Sequence, residues 1–326
     1  MKVFAYSYRK FDEAPYFEKY CKELGIELGY TEEDPTLENA HLAAGYPYIS
    51  ILLTRVDAAL VEEFARLGVK MISNRLIGVD HVDVKRAKEL GIRISNAPYS
   101  SNCVADYTLM LMLMSIRRMR QIMRRNEMND FTLPGIQGLE MANLTVGVLG
   151  TGKIGRTVIR DLHGFGSRIL AYDLFENEEV KNYAQYADLD TILRESDLIT
   201  LHMPLTDDNF HLLDREAFAK MKDGVVIVNT ARGPLIDTNA LLDALESGKV
   251  GAAGLDVVED EVGLYHHDWK NTVIHNRFIP LLRGFNNVVL TSHKAYYTDQ
   301  SIDDMVRNSL LGCYNAEHGL PNPFEI

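Results

Sequence analysis

Three motifs with charged or titratable side chains follow apolar runs in the second half of this chain. Arg232 stands in Asn229-Thr-Ala-Arg232-Gly-Pro, on a turn constrained by Gly and Pro, after the run 225–229. Its planar fork suits a carboxylate, which it can grip with two parallel hydrogen bonds. Asp256 and Glu261 stand at and after the end of the run 252–256. His293, just past the run 288–291, is placed to shuttle a proton near neutral pH. Taken alone, each has a plainer reading: an ion-paired arginine, a solvated acidic loop, a structural histidine. The chain has ten histidines, and spacing alone does not single out His293.

A fourth pattern is more specific. The apolar run 146–149 ends in Gly150-Thr-Gly152-Lys153-Ile154-Gly155, a helix-like segment follows, and a second apolar run closes on Asp173. Strand, G-x-G-x-x-G turn, helix, strand and acid are the elements of a dinucleotide site. Gly150 permits the tight turn, Gly152 lets backbone amides approach a pyrophosphate, and Gly155 lets helix and strand pack closely. Asp173 can accept hydrogen bonds from both ribose hydroxyls and would repel a 2′-phosphate. NAD is therefore expected over NADP.

The elements that position these groups read as alternating β and α. In the first hundred residues, runs 3–6, 49–53, 71–73 and 92–95 read as strands, and 15–24, 58–67 and 84–90 as helices closing on Gly25, Gly68 and Gly91. Residues 102–125 read as one long helix. A second series begins near Thr145, with later strands at 198–202, 225–229, 252–256 and 288–291, helices at 213–221 and 238–247, and a last helix at about 299–316. Such alternation argues for parallel sheets covered on both faces. Six methionines between Met110 and Met128, near helical spacing, read as core or subunit interface.

Composition narrows the class. A length of 326 residues allows two domains, and a formal charge of −12 argues against a nucleic-acid or anionic-membrane partner. Cys21, Cys103 and Cys313 form neither a metal-ligand pattern nor a disulfide framework, so no metal is expected and a cytoplasmic location fits. The N-terminus reads as a first strand rather than a signal peptide, and no apolar run reaches membrane-spanning length.

The ordered set of glycine turn, Asp173, Leu201-His-Met-Pro204, Asn229-Thr-Ala-Arg232-Gly, Asp256-x-x-x-x-Glu261 and Ser292-His293 resembles the D-specific 2-hydroxyacid dehydrogenases. The segments Arg75-Leu-Ile77-Gly78-Val-Asp80 and Asn96-Ala-Pro-Tyr99-Ser extend the likeness over nearly the whole chain. Val104-Ala-Asp-Tyr-Thr, Ala295-Tyr-Tyr-Thr298 and a long loop at 262–283 point to the D-lactate dehydrogenase branch, with its vancomycin-resistance members. The fold so implied is α/β with two doubly wound parallel-sheet domains. A Rossmann-type dinucleotide-binding domain, 101–294, is inserted in a flavodoxin-like substrate domain, 1–100 and 295–326.

The resemblance also implies roles. His293 protonates the carbonyl oxygen as hydride arrives, Glu261 pairs with it and favours the imidazolium, and Arg232 holds the carboxylate. Backbone amides at Ile77 and Gly78 bind that carboxylate from its other side, and Tyr99 and Tyr296 line the pocket. Asp256 meets the nicotinamide carboxamide. Lys153 and Ile154 meet the pyrophosphate, while Met203, Pro204, Asn209, Thr230 and Ala231 line the cofactor. A homodimer is implied too. The substrate is a 2-oxo acid, reduced to the D-2-hydroxy acid. Ser292 and Lys294 depart from the Pro and small or apolar residue usual beside the histidine. Leu52 stands where strict D-lactate enzymes carry a pocket tyrosine, leaving room for a branched or aromatic side chain. Lys294 motivates a dicarboxylate as the alternative. An NADH-sensing corepressor-like binding protein is the rival from another class.

Overall fold

All residues from Met1 to Ile326 are described by the computed structural model, which divides into two units: Met1–Ser100 with Tyr297–Ile326, and Ser101–Tyr296. In the first unit the order is β1 (Lys2–Ala5), α1 (Ala14–Leu24), β2 (Glu27–Tyr30), β3 (Tyr48–Ile51), α2 (Ala58–Arg66), β4 (Met71–Asn74), α3 (Val84–Glu89) and β5 (Arg93–Ser95). The strands pair in parallel in the order β2-β1-β3-β4-β5, the flavodoxin-like arrangement. Both faces are covered. Tyr6, Ile49, Ile51 and Ile72 pack with Leu60 and Phe64 of α2 on one side. Val3, Ala5 and Met71 pack with Phe17 of α1 and with Val306 and Leu310 of the last helix, Asp299–Glu317, on the other. The tail returns along β5, where the Ile326 amide donates to the Ile94 carbonyl at 3.0 Å.

The second unit contains α4 (Ser101–Ile116), α5 (Met119–Glu127), β6 (Thr145–Leu149), α6 (Lys153–His163), β7 (Arg168–Tyr172), β8 (Gln185–Tyr186), α7 (Leu189–Glu195), β9 (Leu198–Leu201), α8 (Arg215–Lys220), β10 (Val225–Asn229), α9 (Thr238–Glu246), β11 (Val250–Leu255), α10 (Phe278–Gly284) and β12 (Val288–Leu290). Its parallel sheet runs β12-β11-β10-β9-β6-β7-β8. The order reverses beside β6, as in a Rossmann sheet, so the crevice at the carboxyl end of β6 is the expected ligand position.

The sequence reading lacks the edge strands β2 and β8 and the helix α7, and it differs from the structure at two further places. The long helix at 102–125 is two helices, broken where Arg118 takes φ +52°. The break is set from a distance: the Leu139 amide donates to the Ile116 carbonyl at 2.9 Å, and Arg118 Nε donates to the Gln137 carbonyl. The stretch 262–283, read as loop, contains most of α10. Its start is capped by Asn276, whose Oδ1 accepts from the Phe278 and Ile279 amides. No helix is long and apolar enough to cross a membrane.

Candidate active site

The glycine turn joins β6 to α6. Gly150 has φ +97°, and a Cβ there would lie 2.6 Å from the His202 carbonyl carbon and oxygen, so only glycine fits. At Gly155 a Cβ would lie 1.9 Å from the Gly150 carbonyl oxygen, which lets α6 start hard against the strand. Gly152 differs: a Cβ would meet nothing within 4 Å. The N-terminus of α6, with Lys153 and Ile154 in its first turn, therefore opens onto unfilled space, as an incoming pyrophosphate requires. The residues present fit NAD.

Asp173 stands one residue past β7. The Thr151 backbone amide and hydroxyl both donate to its Oδ2, at 2.6 and 3.1 Å, and the Phe175 amide donates to Oδ1 at 3.2 Å. A carboxylate has about four lone-pair sites, so one remains, on Oδ1, for one ribose hydroxyl rather than the two expected from the sequence. Tyr186 donates to the Thr151 hydroxyl at 2.9 Å and completes the support. Neither Thr151 nor Tyr186 carries a signal in the sequence; Thr151 is an unspecified position of the glycine motif.

The other candidate residues of this unit follow the carboxyl ends of neighbouring strands: Met203 and Pro204 after β9, Thr230 to Arg232 after β10, Asp256 after β11, His293 after β12. The Asn229 side chain, fully buried, ties the β10 turn. Its Oδ1 accepts from the Ala231 amide at 2.9 Å and its Nδ2 donates to the Arg232 carbonyl at 2.8 Å. Asn209 is spent on its own loop, accepting from the Thr206 amide and donating to the Pro204 carbonyl, both at 2.8 Å. His202 is buried, with its Nε2 2.9 Å from the Thr200 hydroxyl. Burial pushes its pKa down to about 3, so it stays neutral.

His293 and Glu261 meet. His293 Nδ1 lies 2.6 Å from Glu261 Oε1, and Glu261 Oε2 accepts from the Val258 amide at 2.8 Å. The pair is mostly enclosed, with 21% of the His293 and 11% of the Glu261 side chain exposed. With Nδ1 committed to the carboxylate, Nε2 is the nitrogen left to carry a transferable proton. His293 takes φ +52°, a conformation that a non-glycine residue adopts only when its surroundings impose it. The rings of His266 and Tyr296 lie 6.4 and 6.3 Å from that of His293, and His266 Nε2 is 3.2 Å from the His293 carbonyl oxygen. His266, itself at φ +71°, was invisible among ten histidines.

In the first unit Leu52 follows β3, Ile77 and Gly78 follow β4, and Tyr99 follows β5, so these too gather at carboxyl ends of strands. Leu52 is buried, at 7% exposure. The β4 end is fixed by Arg75, fully buried, which donates to Glu13, to the Ser50 hydroxyl and to the Tyr6 and Ser7 carbonyls. Four hydrogen bonds, one of them to the Glu13 carboxylate, make a buried guanidinium tolerable.

Comparison with known proteins identifies the family. Residues 109–295 match the model of the D-isomer specific 2-hydroxyacid dehydrogenase NAD-binding domain. The aromatic 2-oxoacid reductase of Clostridium sporogenes is 41% identical over 97% of this chain and 96% of its own length. The D-lactate dehydrogenase of Escherichia coli is 36% identical over the full length of both chains. Among solved structures, a D-lactate dehydrogenase of Treponema pallidum superposes with a TM-score of 0.89 at 34% identity, covering 100% of this chain and 99% of that one.

Proposed function

This chain belongs to the D-isomer-specific 2-hydroxyacid dehydrogenases, and from that premise we propose which of its residues do the work and on what substrate. The reaction is the NAD-dependent interconversion of a 2-oxo acid and its D-2-hydroxy acid. Bound as NADH, the cofactor supplies the hydride. Gly152, Lys153 and Ile154 would hold its pyrophosphate, Asp173 its adenosine ribose, and Met203, Pro204, Thr230 and Ala231 its remaining length. Asp256, expected at the carboxamide, instead has no exposed surface and spends its carboxylate on the Thr291 hydroxyl and the Lys294 and Ala295 amides, so it serves the site through the His293 loop. Ser101–Tyr296 is thus the dinucleotide-binding domain and the remainder the substrate domain.

The observation that carries the mechanism is the 2.6 Å contact between His293 Nδ1 and Glu261. It fixes the ring and presents Nε2 as the acid that protonates the carbonyl oxygen. Arg232 grips the substrate carboxylate with two parallel hydrogen bonds and polarises the 2-oxo group. In the first unit, the Ile77 and Gly78 backbone amides and the Leu52 and Tyr99 side chains, all just past carboxyl ends of strands, are the candidate contacts to the substrate. With leucine in place of a tyrosine wall, the substrate is a 2-oxo acid with a branched or aromatic side chain. Turnover of NADH with a panel of 2-oxo acids tests this reading. Absence of turnover with every one of them would return the chain to the class of NADH-binding modules.

A second copy completes the protein in this reading. One face of α4 presents Leu109, Met110, Leu113 and Met114, and Met123, Met128, Phe131 and Leu133 beyond it are 52–79% exposed. So much exposed apolar surface marks an interface, and a homodimer would cover it. The three unpaired cysteines suit a cytoplasmic enzyme.

A further inference from the structure

A second histidine–glutamate pair shares the loop after β11 with the first. His211 Nε2 is 2.7 Å from Glu259 Oε1, and the Thr238 amide, at the start of α9, donates to Glu259 Oε2 at 2.8 Å. The Glu259 carbonyl accepts from Asn276 Nδ2 at 3.0 Å, the same asparagine that caps α10. Glu259 therefore joins the loop after β9, the turn after β10, its own loop after β11 and the lead-in to α10. Its side chain is 14% exposed, so the two contacts are little screened.

Two of these segments carry the chemistry. Glu261 is two residues on, and the intervening Asp260 takes φ +58°. Arg232 precedes Gly233, where a Cβ would lie 2.1 Å from the Val258 carbonyl carbon and oxygen and 2.6 Å from the Glu259 amide nitrogen. The peptide before Glu259 thus sits directly on the arginine turn. His211 reinforces the arrangement, because its own amide donates to the Pro234 carbonyl at 2.8 Å.

We propose that Glu259, through His211 and the Thr238 amide, is a positioning residue that locks the Glu261 loop and the Arg232 turn in one register. The proton donor's partner and the carboxylate anchor then hold a constant relation. This rests on the roles given above to His293, Glu261 and Arg232.

The test compares Glu259→Ala, Glu259→Gln and His211→Gln with wild type, reading KM and kcat for a 2-oxo acid. It also reads NADH affinity and the isotope effect with NADH deuterated at the transferred hydrogen. Loss of register should raise KM for the acid at least about fivefold, lower kcat at least about tenfold and increase the isotope effect in Glu259→Ala. Both glutamine variants retain hydrogen-bonding capacity and should fall between. NADH affinity should move by less than about threefold, since Glu259 does not touch the glycine turn. A merely structural role would reduce the amount of active enzyme and leave KM and the isotope effect unchanged; that result overturns the proposal. His293→Gln, run in parallel, separates the two levels. If it retains wild-type turnover, the site reading fails and this proposal with it. If it is inactive while the Glu259 and His211 variants keep wild-type constants, only this proposal fails.

Discussion

Asp256 holds the loop that carries His293. Its carbonyl accepts the His293 amide at 2.7 Å, and its fully buried carboxylate accepts from the Thr291 hydroxyl at 2.6 Å, the Lys294 amide at 2.9 Å and the Ala295 amide at 2.8 Å. The left-handed backbone at His293 is the strained element that these bonds hold in place. Asp256→Asn replaces one acceptor oxygen by a donor that must face an N–H or O–H. The variant should lose about 2 kcal/mol of stability, the cost of breaking a charge-assisted bond in the interior. It should also lose at least about tenfold in kcat through disorder of His293. Chemical denaturation and steady-state kinetics read both. Unchanged kcat in a folded Asp256→Asn enzyme would show that the loop holds His293 without it.

Glu261→Gln should lower kcat in the reducing direction. Reduction needs a proton on His293 Nε2, and the carboxylate 2.6 Å from Nδ1 fixes the ring that presents it. Glutamine keeps the size and an acceptor oxygen but removes the charge, which weakens the hydrogen bond to the ring. Steady-state kinetics with a 2-oxo acid should show kcat lowered at least about tenfold, with NADH affinity unchanged. Wild-type kcat in the folded variant would exclude the pairing as the support of the acid.

His202 makes stability depend on acid. In the folded chain burial sets its pKa at about 3, against 6.5 for an ordinary histidine. Between those values the unfolded chain binds a proton that the folded one refuses. The contribution is therefore fully present above pH 6.5 and is lost progressively as pH falls toward 3. Each unit of pH in that window costs about 1.4 kcal/mol. His202→Gln, neutral throughout, should lose about 2 kcal/mol less than wild type between pH 7 and pH 5 in urea unfolding. Equal losses would mean that the folded ring already takes up the proton at pH 5.

The dinucleotide half of the site was legible because its chemistry needs backbone geometry that only certain residues permit. Gly150 and Gly155 are fixed by contacts shorter than any side chain tolerates, so their spacing reads directly as a turn. Asp173 was legible from its place at a strand end. What supports these residues was not. Thr151, Tyr186 and His266 act through hydrogen bonds between segments distant in sequence, and any such residue looks the same before folding. The break after Ile116 is of this kind, imposed by Leu139 on a stretch whose own residues favour continuous helix. The roles of Arg232, Glu261 and His293 came from a family likeness, and the fold supplies a reason for one pairing among them in the contact of Glu261 with His293.

Leu52 makes the sharpest claim about substrate. It follows β3 at the carboxyl edge of the first unit's sheet, and its side chain is 7% exposed, held among neighbours rather than swinging in solvent. A leucine wall is shorter than a tyrosine wall and lacks its hydroxyl, so the space released is apolar. Each methylene of a longer substrate buried there adds about 0.8 kcal/mol to binding, close to fourfold in affinity. Three added carbons then outweigh the ordering of a longer side chain. 4-Methyl-2-oxopentanoate or phenylpyruvate should be reduced with a kcat/KM at least equal to that for pyruvate, and Leu52→Tyr should turn the preference toward pyruvate. The competing determinant is Lys294, exposed beside His293, whose ammonium suits a second carboxylate. If it governs, 2-oxoglutarate or oxaloacetate will lead the panel, and Lys294→Ala will erase that lead. Measured side by side, preference for pyruvate over every bulkier acid removes the argument from Leu52, and negligible turnover of both dicarboxylates removes the one from Lys294.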